Sequence, residues 1–177
     1  MKKLFTLLLA LCLLCSVAMA EEATTMNWED VAAAAEEVGG QFIAIDLGLM
    51  VWAPNDFYVI NEIPEAFASQ GIYAMFASLD EATGEITGAI TLQYVEANGA
   101  TAAECVSNIE GAAEPKDMII NGFPCVNFDL PANDASCVAY ETEKGNLFVI
   151  SFLPMTNVDF AAKATIMVAS IQAVPEE

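Results

Sequence analysis

Asp117-Met118-Ile119-Ile120-Asn121-Gly122-Phe123-Pro124-Cys125-Val126-Asn127-Phe128-Asp129-Leu130 is followed, after a short polar break, by Ser136-Cys137-Val138-Ala139-Tyr140-Glu141-Thr142. After a second break comes Asn146-Leu147-Phe148-Val149-Ile150-Ser151-Phe152-Leu153. These runs are rich in β-branched and aromatic residues and read as strands. Gly122 permits a bend within the first run, and Pro124 fixes the backbone where the chain resumes. Lys144-Gly145-Asn146 supplies a turn between the last two. Strands that follow one another through such short connections pair antiparallel, because parallel pairing needs a long crossover.

Working upstream, residues 71–78 and 86–95 form another β-like pair joined by Asp80-Glu81-Ala82-Thr83-Gly84-Glu85. Thr101-Ala102-Ala103-Glu104 is a capping box and predicts a helix to about Gly111, with Ala102, Cys105, Val106 and Ile109 inward. Earlier still, residues 27–38 read as a helix capped by Asn27 and ended by Gly39-Gly40. Residues 41–47 and 49–53 read as strands broken at Gly48, Pro54-Asn55-Asp56 as a turn, and 62–69 as a helical turn after Pro64. Downstream, Asn157 caps a final helix to about 173, with Phe160, Ala164, Met167, Val168 and Ile171 on one stripe. The order is helix, four strands, helix, several strands, helix. That is an α+β fold, an antiparallel β-sheet flanked by helices.

The chain opens Met1-Lys2-Lys3, runs apolar from Leu4 to about Val17, and reaches Ala18-Met19-Ala20 before Glu21-Glu22. A charged start, a short apolar stretch and a small-x-small site predict a signal peptide over 1–20, cleaved after Ala20. The competing reading is an uncleaved anchor, although the run is shorter than the roughly 20 residues a spanning helix needs. Lipidation at Cys12 or Cys15 fits less well, since each follows a leucine inside the apolar stretch. The expectation is a secreted or extracytoplasmic protein whose residues 21–177 form a single acidic α+β domain, long enough for a real core.

Losing Lys2 and Lys3 would take the net charge from −20 to −22 and leave Lys116, Lys144 and Lys163 as the only basic side chains. Nucleic-acid binding needs lysines and arginines to displace counterions, so it is excluded, as is docking on an anionic membrane surface. Soluble cations or basic partners are attracted instead, or the charge serves only solubility.

Absence of His and Arg removes the commonest general base, histidine-containing triads and arginine clamps on anionic substrates. There is no Cys-x-x-Cys, phosphate loop or Gly-x-Ser-x-Gly elbow. Paired carboxylates could serve a small hydrolase, but 25 acids make chance pairs common. Calcium suits the oxygen-rich composition better. Three loops offer ligands: Asn55 with Asp56; Asp80, Glu81 and Glu85; and Asp129 with Asn133 and Asp134. None has EF-hand spacing, and each reads equally as a turn favoured by local Asn and Asp hydrogen bonds. Cys105, Cys125 and Cys137 are an odd set. If 123–130 and 136–142 form a hairpin, Cys125 and Cys137 can share a face and bond, with Val126 and Phe128 opposite beside Val138 and Tyr140. Three small buried thiols are the alternative.

Ile120-Asn121-Gly122-Phe123-Pro124-Cys125-Val126-Asn127-Phe128, Gly145 through Phe152, the closing Ile166-Met167-Val168-Ala169-Ser170-Ile171 and Asp46 through Pro54 together resemble the PsbP-like superfamily over about 41–173. The resemblance implies an α-β-α sandwich, usually without catalysis, whose members mostly bind proteins or assist assemblies, some with metal-ion links. It carries over no functional residue. The leading expectation is therefore a noncatalytic exported module, without a cofactor, that binds a protein or an envelope component. It calls for an exposed apolar patch to which Trp52, Phe57 and Tyr58 could contribute, Trp52 being better suited to the core. The alternatives are a calcium- or cation-binding acidic protein and, behind it, a hydrolase.

Overall fold

A computed structural model describes residues 23–175, so the predicted leader lies outside the described residues. Eight strands form the main sheet in the order β1-β7-β8-β9-β10-β6-β5-β4. They are β1 (Thr24–Met26), β4 (Tyr58–Val59), β5 (Ile72–Leu79), β6 (Ile86–Glu96), β7 (Lys116–Ile120), β8 (Phe123–Leu130), β9 (Ala135–Glu141) and β10 (Asn146–Leu153). Seven of them pair antiparallel through consecutive hairpins or neighbouring returns, and β1 alone joins parallel, to β7. The runs 117–130, 136–142 and 146–153 are β7–β8, β9 and β10. The bend at Asn121-Gly122, with φ of 48° and 85°, divides the first of them.

The early strands depart from the expected single sheet. β2 (Gly40–Ala44) and β3 (Leu49–Pro54) form a separate three-stranded sheet with β11 (Gln172–Ala173). The final helix, predicted to about 173, ends at Ser170 in consequence. α4 (Val158–Ser170) stops where Ser170 Oγ accepts the Trp52 N–H at 2.8 Å, and Ile171 turns extended so that the chain can pair with β3.

The other helices are α1 (Ala32–Val38), α2 (Glu65–Ala68) and α3 (Ala102–Ser107). At α3 the capping box forms, with Glu104 N–H donating to Thr101 Oγ1 and Thr101 N–H to the Glu104 carboxylate. Asn157 likewise caps α4, accepting from the Asp159 and Phe160 N–H groups. Asn27 does not cap. Residues Trp28–Asp30 form a 3-10 turn first, and the Trp28 N–H is taken by Asn121 Oδ1 instead.

The core follows the two faces of the main sheet. On one face Ile90, Leu92, Met118, Ile120, Cys125, Phe148 and Ile150 pack under α1, α4 and the small sheet. On the other, Val126, Phe128, Cys137, Leu147 and Val149 pack under α3, while Met75, Ala77 and Ala89 pack under Phe67 of α2. Helices thus cover both faces of a mostly antiparallel sheet, and the fold is α+β.

Candidate functional site

Between the β1–β7–β8 end of the main sheet and α4 lies a cleft of about 420 Å³. Register explains its lining. Thr24 lies opposite Met118 and Met26 opposite Ile120, so the side chains of Thr24, Met26, Lys116 and Met118 point to one face, the face that α4 packs on. The apolar walls are Met26, Met118, Phe152, Met155, Ala164 and Val168. Phe152 and Ala164 are buried in the core, whereas Met26, Met155 and Val168 are only half-buried. Methionine walls of this kind adapt to irregular apolar surfaces.

Polar groups border the cleft: Lys116, Asn127, Asp129, Asp134 and Thr165. Lys116 and Asp129 are exposed, and register makes them diagonal neighbours, since Lys116 faces Asn127. Asp134 is committed, because its carboxylate accepts the Thr156 N–H at 2.9 Å and the Thr156 hydroxyl. Two carboxylates therefore line the cleft, as a hydrolase would need, but one is held by its neighbour. No cysteine is in the lining, and the chain has no histidine. Such a cleft can bind apolar groups.

The acids singled out as calcium ligands stay in separate places. Asp56 Oδ2 lies 3.3 Å from Lys163 Nζ. Asp80 closes its own loop by accepting from the Ala82 and Thr83 N–H groups and the Thr83 hydroxyl, contacts that hold its carboxyl below the usual range, while Glu85 contributes its backbone to the same turn. Asp80 and Glu85 share one turn, and Asp129 and Asp134 both line the cleft. Among the described residues no group of three or more His, Cys, Asp or Glu is disposed to hold a metal ion.

The Cys125–Cys137 pairing is overturned. The β8–β9 register sets Val126 opposite Ala139 and Phe128 opposite Cys137, so Cys137 shares its face with Val126 and Phe128 and Cys125 points the other way. The cause is the connection: Leu130 pairs directly with Ala135 across four residues that end in left-handed Asp134 (φ 52°). All three described cysteines are free and buried. Burial raises the thiol of Cys125 to about 12 and that of Cys137 to about 11.

Of the aromatic residues expected at a surface patch, Trp52 is buried and Phe57 is half-buried, stacked on Phe160 at 6.2 Å. Tyr58 is exposed on the short edge strand β4. Sequence reading missed a different group. Tyr73 and Tyr94 stack at 5.5 Å, both exposed, and each donates its hydroxyl to Asp46 Oδ2 at 2.9 Å. Asp46 sits in the β2–β3 turn, so this clasp joins the two sheets. A tyrosine on each of two adjacent strands was a visible signal, but nothing local points them to a carboxylate 27 and 48 positions away.

These features define an acidic α+β protein with an apolar cleft at one end of its main sheet. No protein-family model matches the chain, and no curated protein matches it. Among solved structures it is similar to the solution structure of cyanobacterial PsbP (CyanoP) from Synechocystis sp. PCC 6803, at 12% identity and a TM-score of 0.48, covering 77% of this chain and 93% of that one. A likeness at this level says nothing about the site.

Proposed function

We propose that the chain is a noncatalytic extracytoplasmic module whose cleft receives apolar groups of a protein partner or envelope component. The observation that carries this is the cleft itself, walled by three methionines and Phe152 and bordered by exposed polar groups. The leader-like opening of the sequence supports the location. The lack of His and Arg, and the engagement of Asp134 by Thr156, support the absence of catalysis.

Methionine-methyl NMR tests the reading. Titrating a small apolar probe into residues 21–177 is expected to shift Met26, Met118 and Met155 while Met50, Met75 and Met167 stay in place. Val168→Glu, which puts a charge in the wall, is expected to abolish those shifts. Uniform small shifts at all six methionines would overturn it.

The calcium alternative rests on composition and loop chemistry alone. A melting-temperature rise with about a millimolar calcium, beyond that given by sodium at equal ionic strength, would support it. An equal rise would mean only that salt screens self-repulsion.

A further inference from the structure

We infer that the partner enters as an extended cationic segment that adds a strand beyond β1 and drops alternate apolar side chains into the cleft. This rests on the cleft being a binding site and specifies its occupant.

β1 ends the main sheet, with β7 on one side and no strand on the other among the described residues. The Asn121 N–H donates to the Met26 carbonyl at 2.9 Å, so the main-chain groups of Met26 face β7. Main-chain groups alternate along a strand, and those of Thr25 therefore face the open edge. Thr25 is exposed. On either side of it, Thr24 and Met26 point their side chains into the cleft. An added strand would share this pleat, so every second residue would face Met26 and Met118. Main-chain hydrogen bonds would give affinity and the cleft would give selectivity, as in strand addition generally.

Charge decides between occupants. A second copy of this chain would bring together two bodies of about twenty negative charges each, and that repulsion opposes edge-to-edge pairing. A segment carrying lysines or arginines at its outward positions is drawn in by the same field. Asp129 lines the cleft and is exposed, whereas Asp134 is already engaged by Thr156.

The test uses residues 21–177 and a synthetic peptide about ten residues long that alternates leucine with lysine, the length of a typical added strand with flanks. Binding is expected to shift the Met26, Met118 and Met155 methyls and to slow hydrogen exchange at the Thr25 amide. Thr25→Pro removes the outward N–H at an edge position where proline is tolerated. It is expected to weaken the peptide about tenfold or more, from the lost hydrogen bond and its strained neighbour, while the small apolar probe still binds. A leucine–glutamate peptide is expected not to bind. If the methyls shift but Thr25 exchange and the Thr25→Pro variant are indifferent, strand addition is wrong and the cleft survives as a site. If neither peptide nor apolar probe moves the methyls, both readings fall. Equal binding of the glutamate peptide overturns the charge argument, and sedimentation showing dimers that Thr25→Pro dissolves makes a second copy the occupant.

Discussion

Tyr94 donates its hydroxyl to Asp46 Oδ2 at 2.9 Å, tying β6 of the main sheet to the turn between β2 and β3 of the small one. The Leu47 N–H, then the Tyr73 and Tyr94 hydroxyls, hold the Asp46 carboxyl below its usual range. The clasp is therefore complete above the unfolded value of about 3.9 and is lost as pH falls through the lower folded value. Asp46→Asn is expected to cost about 1 kcal/mol at pH 7, a modest figure because the site is exposed. It is also expected to reduce the loss of stability between pH 5 and strong acid. Urea denaturation at a series of pH values reads both, and parallel curves for the two proteins would refute the clasp's contribution.

Asn121 gathers three parts of the chain. Its side chain accepts the Trp28 N–H at 2.7 Å and donates to the Ala169 and Ile171 carbonyls at 2.9 and 2.8 Å. Its backbone is left-handed, with φ 48°. Asn121→Ala is expected to cost about 2–4 kcal/mol, from lost hydrogen bonds and a conformation alanine resists. Asn121→Gly keeps the conformation and should cost less. Hydrogen exchange should rise first in β1 and the end of α4, whereas a uniform rise would mean that Asn121 does not anchor them.

Gly88 faces Phe160 so closely that a Cβ there would collide with the ring. Phe160 is buried and packs in the core between α4 and the main sheet. Gly88→Ala is expected to destabilise by about 1–3 kcal/mol through overpacking. Phe160→Leu beneath it should recover part of that loss, giving a favourable coupling in a double-mutant cycle. Strict additivity of the two substitutions would show that the ring is not what Gly88 accommodates.

The cysteines give a chemical readout of the register. Cys125 and Cys137 lie on opposite faces, and burial holds their thiols at about 12 and about 11. At pH 8 a thiol reagent is expected to label the native protein slowly and to label all three sites on unfolding. Mass spectrometry without reductant should find no internal disulfide between Cys125 and Cys137. Finding one would mean that β8 and β9 pair in another register than Phe128 opposite Cys137.

Features written in a few adjacent residues were legible before any fold was known. Thr101 with Glu104, and Asn157 with the N–H groups that follow it, are complete devices within one helical turn. The strands β5 through β10 were likewise marked by β-rich runs between turn residues. Asn27 looked equally sound as a cap, but its side chain makes no cap bond: a 3-10 turn follows it, and the Trp28 N–H goes to Asn121, 93 positions away. Of the residues lining the cleft, only Asp129 and Asp134 read as candidate ligands from the sequence, and for calcium. The methionines that wall it give no local signal of open surface.

The sequence by itself determined the α+β class, the principal hairpins, the caps of α3 and α4, the acidity and the chemistry that its residue types forbid. Each follows from composition or from bonds between near neighbours, and a neighbour is within reach whatever the rest of the chain does. Tertiary structure decided the rest: the separate sheet of β2, β3 and β11, the parallel seat of β1, the opposite faces of Cys125 and Cys137, and the opening beside α4. These depend on which distant surfaces bury one another and on single-residue register. A strand's alternating pattern shows that it has two faces, and only packing against the rest of the molecule settles which of them meets α4.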